Sequence, residues 1–146
     1  MFYTGSYPLT LDAKGRFVVP ADFRKALADA GESELTITFH PDGYLRLYTR
    51  SVWHEVKQRL VEARIPDIDR YRRVVIGNAL DIQMDSAGRI LLSSNLRKLA
   101  RMERKIEMIG EGRFFGLLSE DAWEKQNDFT IQIPSVLPPE VQELLQ

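Results

Sequence analysis

The 146-residue sequence predicts an α+β domain made of two copies of one hairpin, helix, hairpin, helix unit, packed about a pseudo-two-fold axis with interleaved strands. Three observations predict it. Shifting the chain by 73 places lays Leu9 to Leu27 over Ile82 to Ala100, with five identities in nineteen positions: Asp12 on Asp85, Gly15 on Gly88, Arg16 on Arg89, Arg24 on Arg97 and Lys25 on Lys98. Short runs such as Leu35-Thr36-Ile37-Thr38-Phe39 alternate apolar and polar residues, the period of a half-buried strand. Between them, Phe23 with Leu27, and Trp53 with Val56 and Leu60, recur at helical spacing. One half alone buries little apolar surface and leaves hairpin edges open, so two halves interleaved in a single domain solve both problems.

In order, Leu9 to Pro20 reads as strand, tight turn, strand. Asp12 is placed to accept backbone N–H groups ahead of it, while Gly15 supplies the left-handed conformation the turn needs. Arg16 leaves that turn at the start of the returning strand, where the nearby carboxylate holds a long cation in one orientation. Pro20 suits a helix start, Phe23 and Leu27 form that helix's buried face, and Ala30-Gly31 ends it. Leu35 to Phe39, the turn Asp42-Gly43 and Tyr44 to Tyr48 form a second hairpin. Ser51 is expected to cap the following helix.

Ile65-Pro66-Asp67 marks a break and a new helix start, with Ile68, Tyr71 and Val75 as its expected buried face. Beside that stripe, Arg70, Arg72 and Arg73 form the densest basic cluster. A solvated face, or pairing with Asp67 and Asp69, is the favoured reading over direct DNA contact. The second copy repeats the plan. Asp85, Gly88 and Arg89 make the turn, Ser93-Ser94 start a helix with Leu96 and Leu99 as its apolar face, and Ile106 to Ile109 with Phe114 to Leu118 form the hairpin. Ser119 caps a helix in which Trp123 matches Trp53. Beyond Gln126 the pattern weakens: Pro134, Pro138 and Pro139 bracket an extended tail ending in a short helix, Glu140 to Leu145. Its Val136, Leu137, Val141, Leu144 and Leu145 need a surface to cover.

Composition bounds the chemistry. The absence of cysteine removes disulfides, thiolate metal sites and Cys nucleophiles together. A net charge of −1 argues against nucleic-acid binding by bulk electrostatics, so any such role rests on a local basic surface multiplied by self-association. The charge is uneven: residues 1–73 hold 12 Lys and Arg against 10 Asp and Glu, residues 74–146 hold 8 against 11. With no leader-like or membrane-length apolar run, a soluble cytoplasmic protein is expected. His40 and His54 fall in different elements without a carboxylate cluster, and no phosphate-binding Gly-rich loop or nucleophile elbow appears, so no metal, other cofactor, small-molecule substrate or enzyme activity is expected. A catalytic Asp12/Asp85 pair is disfavoured because each has an arginine four places on that lowers its pKa.

The opening Met1-Phe2-x-x-Gly5, the paired Asp-x-x-Gly-Arg turns, Leu11-Asp12-x-Lys14-Gly15-Arg16 and Pro20-x-x-Phe23-Arg24 closely resemble the MraZ family of bacterial transcriptional regulators. That resemblance runs from Met1 to about Trp123. It implies two AbrB-like swapped-hairpin repeats forming a pseudo-two-fold β-barrel-like core with peripheral helices: repeat one over 5–53, linking helices over 54–79, repeat two over 80–124 and a tail over 125–146. It implies a sequence-specific DNA-binding regulator, with repression the expected sign, acting on the division and cell-wall gene cluster including its own promoter. A ring-shaped homo-oligomer, cytoplasmic and nucleoid-associated, goes with it. Carried over by position, the Asp-x-x-x-Arg motifs fall on Asp12 with Arg16 and Asp85 with Arg89.

Arginine suits such a role, because its planar fork bonds guanine O6 and N7 together or clamps a phosphate, whereas Lys14 adds a point charge. Arg16 ranks first and Lys14 second. Ala87 stands where Lys14 does, which leaves Arg89 balanced between DNA contact and turn fastening. Arg24 and Lys25, with Arg97 and Lys98, either line the same surface or form solvated helix faces. Asp12, Gly15, Asp85 and Gly88 are structural on either view. The alternative function is an oligomeric protein-interaction or antitoxin-like module, against which stand the two motif copies and the short tail.

Overall fold

The computed structural model describes residues 2–128 and 137–146; Met1, Pro134 and Val136, singled out above, lie outside them. The elements run β1 (Ser6–Thr10), β2 (Arg16–Val18), α1 (Ala21–Asp29), β3 (Leu35–His40), β4 (Tyr44–Thr49), α2 (Arg50–Glu62), α3 (Ile68–Val75), β5 (Leu80–Ile82), β6 (Arg89–Leu91), α4 (Ser94–Leu99), β7 (Lys105–Gly110), β8 (Phe115–Ser119), α5 (Glu120–Gln126) and α6 (Pro139–Leu144). The fold is α+β. Its main sheet is antiparallel with order β1-β7-β8-β4-β3-β5, and β2 pairs with β6 in a separate ribbon.

That order maps onto itself when the halves are exchanged: β1 takes the place of β5, β7 of β3 and β8 of β4. The strands flanking each Asp turn are not ladder partners. β1 pairs with β7, β5 with β3, and β2 with β6, so each half's first strands complete the other half's sheet. Two hydrogen bonds extend the ribbon beyond its three-residue strands: Leu92 N–H donates to the Gly15 carbonyl and Val19 N–H to the Gly88 carbonyl, both at 2.9 Å. Pairing across the halves lets Phe17 and its register partner Ile90 point inward together. They reach 1% and 0% exposure in one core with Val19, Phe23, Leu27, Leu92, Leu96, Met108 and Phe115.

Several expectations need correction. The barrel-like core is not closed among the described residues, because β2 and β6 form a ladder only with each other and leave β1 and β5 as the main sheet's edges. The α2 cap is Thr49, whose hydroxyl accepts from Val52 N–H; Ser51 lies inside the helix and donates to Glu32 instead. Tyr71 is 46% exposed, so α3 packs through half-buried Ile68, Val74 and Val75. Leu99 is also exposed, since the shorter α4 turns Ala100 into the core in its place. The predicted Ser119 cap is present, accepting from Ala122 N–H, and at the Ser93-Ser94 helix start it is Ser93 that caps, accepting from Leu96 N–H. Among the described residues no helix is long and apolar enough to cross a membrane.

The ribbon yields a thermodynamic test. Phe17→Ala is expected to cost about 3–5 kcal/mol and Ile90→Ala about 2–5 kcal/mol in urea unfolding, because each empties a fully buried site. The double variant should lose less than the sum, as both deletions enlarge one cavity spanning the halves. Strict additivity would mean that the two halves do not share that packing.

Candidate nucleic-acid interface

Both Asp turns are built by the same five hydrogen bonds. In the first, Asp12 N–H donates to the Arg16 carbonyl and Gly15 N–H to the Asp12 carbonyl. The Asp12 carboxylate accepts from Lys14 N–H and Arg16 N–H at Oδ1 and from Arg16 Nε at Oδ2, each at 2.9 Å. In the second, Asp85 repeats the backbone pair with Arg89 and Gly88. Its Oδ1 accepts from Ala87 and Arg89 N–H at 2.9 Å and its Oδ2 from Arg89 Nε at 2.8 Å. One carboxylate thus ties the turn's backbone with one oxygen and orients the arginine with the other. Because Nε is the atom engaged, the terminal nitrogens of each guanidinium remain for an outside acceptor.

The glycines do more than turn the chain. Gly15 at φ +88° and Gly88 at φ +75° both occupy the left-handed region, and each carries an arginine from the other half. A Cβ on Gly15 would lie 2.8 Å from the Arg97 guanidinium carbon, and one on Gly88 2.8 Å from Arg24 Cδ and Nη1. Arg97 is also steadied by an Nε bond to the Leu92 carbonyl at 3.2 Å. The structure therefore brings Lys14, Arg16 and Arg97 together at the first turn, and Arg89 with Arg24 at the second. Ala87 leaves the second turn without a lysine, but Arg24 supplies a cation there from α1.

Register places the arginines on one surface. Arg16 lies opposite Leu91 and Val18 opposite Arg89, while Phe17 and Ile90 face the core, so alternation puts Arg16, Val18, Arg89 and Leu91 on the ribbon's outer face. Lys25 takes a different course, pairing with Asp29 one turn along α1 at 3.1 Å. In the α3 cluster, Arg72 donates to the Leu60, Val61 and Ala63 carbonyls and to Asp69, which closes the end of α2. Arg70 and Arg73 stay exposed. Of the histidines, His40 accepts from Asp42 N–H at Nδ1, burial pushes its pKa down, and His54 sits exposed on α2.

The turn carboxylates are held below their ordinary pKa, first by the backbone N–H of Arg16 or Arg89 and then by that residue's side chain. This favours the ionised form, the opposite of what a general acid needs. A depressed carboxylate contributes stability that is present above its unfolded pKa of about 3.9 and is lost as pH falls through the lower folded value. Carbon-13 titration should give Asp12 and Asp85 midpoints below the ordinary range, and in Arg16→Ala the Asp12 midpoint should stay low because the backbone donor persists. A return to the ordinary value in that variant would assign the turn's electrostatics to the side chain instead.

Comparison with known proteins adds an independent line. A family model described as "MraZ protein, putative antitoxin-like" matches residues 2–73 and 75–141, beyond Trp123 and into the tail. A protein named Transcriptional regulator MraZ from Burkholderia vietnamiensis is 44% identical over 124 residues, covering 85% of this chain and 83% of its own. Its namesake from Dechloromonas aromatica is 38% identical over 140 residues, covering 94% and 95%. With both Asp turns inside the family-model match and these relatives covering most of its length, the chain belongs to the MraZ family.

Proposed function

We propose that this chain is a sequence-specific DNA-binding transcriptional regulator that reads DNA with its two Asp turns. The observation that carries the reading is the pair of identically bonded arginines, Arg16 and Arg89, on one outward face of the β2·β6 ribbon. Relatives named as transcriptional regulators support it. The exchanged strand pairing supports reading residues 5–53 and 80–124 as AbrB-like swapped-hairpin repeats joined by 54–79, with 125–146 as a tail. Lys14 and Arg24 add phosphate contacts beside the two arginines, and Lys25 lies at the margin of that surface. Asp12, Gly15, Asp85 and Gly88 build the turns. No catalytic role or cofactor belongs to this reading.

The biological setting proposed is repression, in the cytoplasm and on the nucleoid, of the division and cell-wall gene cluster from repeated elements in its own promoter. A near-neutral subunit with two small cationic clusters makes few phosphate contacts, so the reading includes a ring-shaped homo-oligomer that repeats them. Val61, Ile65 and Tyr71, exposed around the α2–α3 corner, are apolar surface suited to such self-association. The antitoxin-like alternative draws on the family description and on the exposed Leu144 and Leu145 of the tail. Under it, a pull-down from the native host would yield a stoichiometric protein partner rather than promoter DNA.

Arg16→Ala tests the assignment. The Asp12–Arg16 pair lies at the surface, and the backbone bonds that build the turn do not need the guanidinium, so folding and assembly should persist. Binding to the promoter should weaken by about 1–3 kcal/mol per engaged subunit, with relaxed preference at one position of each element if Arg16 reads a base. A phosphate role would instead weaken all sequences alike and lower the salt slope. Promoter affinity equal to the parent's, in a fully assembled variant, would move the DNA surface elsewhere, with the exposed Arg70 and Arg73 as the next choice.

A further inference from the structure

We propose that Val18 and Leu91 are specificity residues that read thymine methyl groups in the major groove, beside the arginines of the same ribbon; this rests on the DNA-binding reading above. They are 50% and 57% exposed, although each belongs to a three-residue strand whose central side chain is fully buried. A single exposed aliphatic residue needs no explanation. Here the two positions are equivalents under the 73-residue shift, two places after the turn arginine in each half, so the same exposure occurs twice.

The register gives the surface its form. Leu91 lies directly opposite Arg16 and Val18 directly opposite Arg89, making two arginine–aliphatic couples on one face. Directly opposed side chains in an antiparallel pair stand about 4.5–5.5 Å apart at Cβ, close enough for a couple to address neighbouring base pairs. A major groove about 12 Å wide admits a two-stranded ribbon, and it presents guanine O6 and N7 to arginine and the thymine methyl to an apolar side chain. Charge complementarity points to nucleic acid as the occupant. Lys14, Arg24 and Arg97 flank the face, and both turn carboxylates are engaged by their own backbone and arginine.

Fluorescence anisotropy with the DNA upstream of the protein's own gene, synthesised either with thymine or with uracil throughout, tests this. The parent should bind the uracil duplex about fourfold more weakly for each contacted methyl. Val18→Ser combined with Leu91→Ser should bind thymine DNA at the level of uracil DNA, lose the thymine preference, and keep the parent's salt slope and assembled mass. Tight parental binding without a thymine preference overturns the proposal and leaves the DNA-binding reading standing, whereas no binding to either duplex removes both. Loss of assembly in the variant with its thymine preference retained would assign the face to contacts between copies. If the variant fails to fold, the comparison of the two duplexes by the parent decides alone.

Discussion

The pairing of β2 with β6 across the two halves is the constraint on which the rest of the molecule depends. Each strand is three residues long, too short to be stable by itself, and each is extended by a hydrogen bond from the residue beyond it to the turn glycine of the other half. The pairing sends Phe17 and Ile90 into one core and leaves the alternate residues facing out. It also joins the two Asp turns through a rigid spacer, so that burying the core and presenting the arginines are consequences of the same register. A slip of one residue would reverse both at once.

Within each turn, the carboxylate serves the backbone and the guanidinium together. An arginine left free on a surface loses considerable rotamer entropy when it binds, and fixing its Nε beforehand lowers that cost. The left-handed glycines make the arrangement cooperative between halves, since their missing Cβ is the space occupied by Arg97 over the first turn and Arg24 over the second. Each cationic cluster therefore draws on both repeats. The densest basic run in the sequence contributes differently, with Arg72 fastening the end of α2 through three carbonyls.

Local chemistry was the legible part of the sequence. The Asp-x-x-Gly-Arg spacing, the Ser93-Ser94 helix start, the Ser119 cap and the Phe23/Leu27 stripe are set by neighbours within four residues, and the structure has them as read. Partner choice was less legible, because alternation fixes which face a strand buries and leaves its ladder partner open. Interleaving of the halves was expected, but which strand pairs with which was not, and only the fold shows that the strands flanking each turn pair with the opposite half. Thr49 was missed as a cap because Ser51, two places on, offers the same hydroxyl, whereas in the structure Thr49 is both the last residue of β4 and the start of α2. Tyr71 and Leu99 sit at helical spacing, but the short α3 and α4 cover less surface than their stripes propose. The approach of Arg24 to Gly88 and of Arg97 to Gly15 connects residues more than 60 positions apart. The duplication placed these residues as equivalents, and only the fold shows that they cross.

The central claim is that the turn tips and the ribbon between them, rather than the α3 arginines, face DNA. Site-specific photo-cross-linking tests it most directly, with a benzophenone side chain placed in turn at exposed Ala13, Ser86 and Arg70 in the assembled protein. The account predicts cross-links to promoter DNA from positions 13 and 86 and none from position 70. Cross-links from position 70 alone would contradict it.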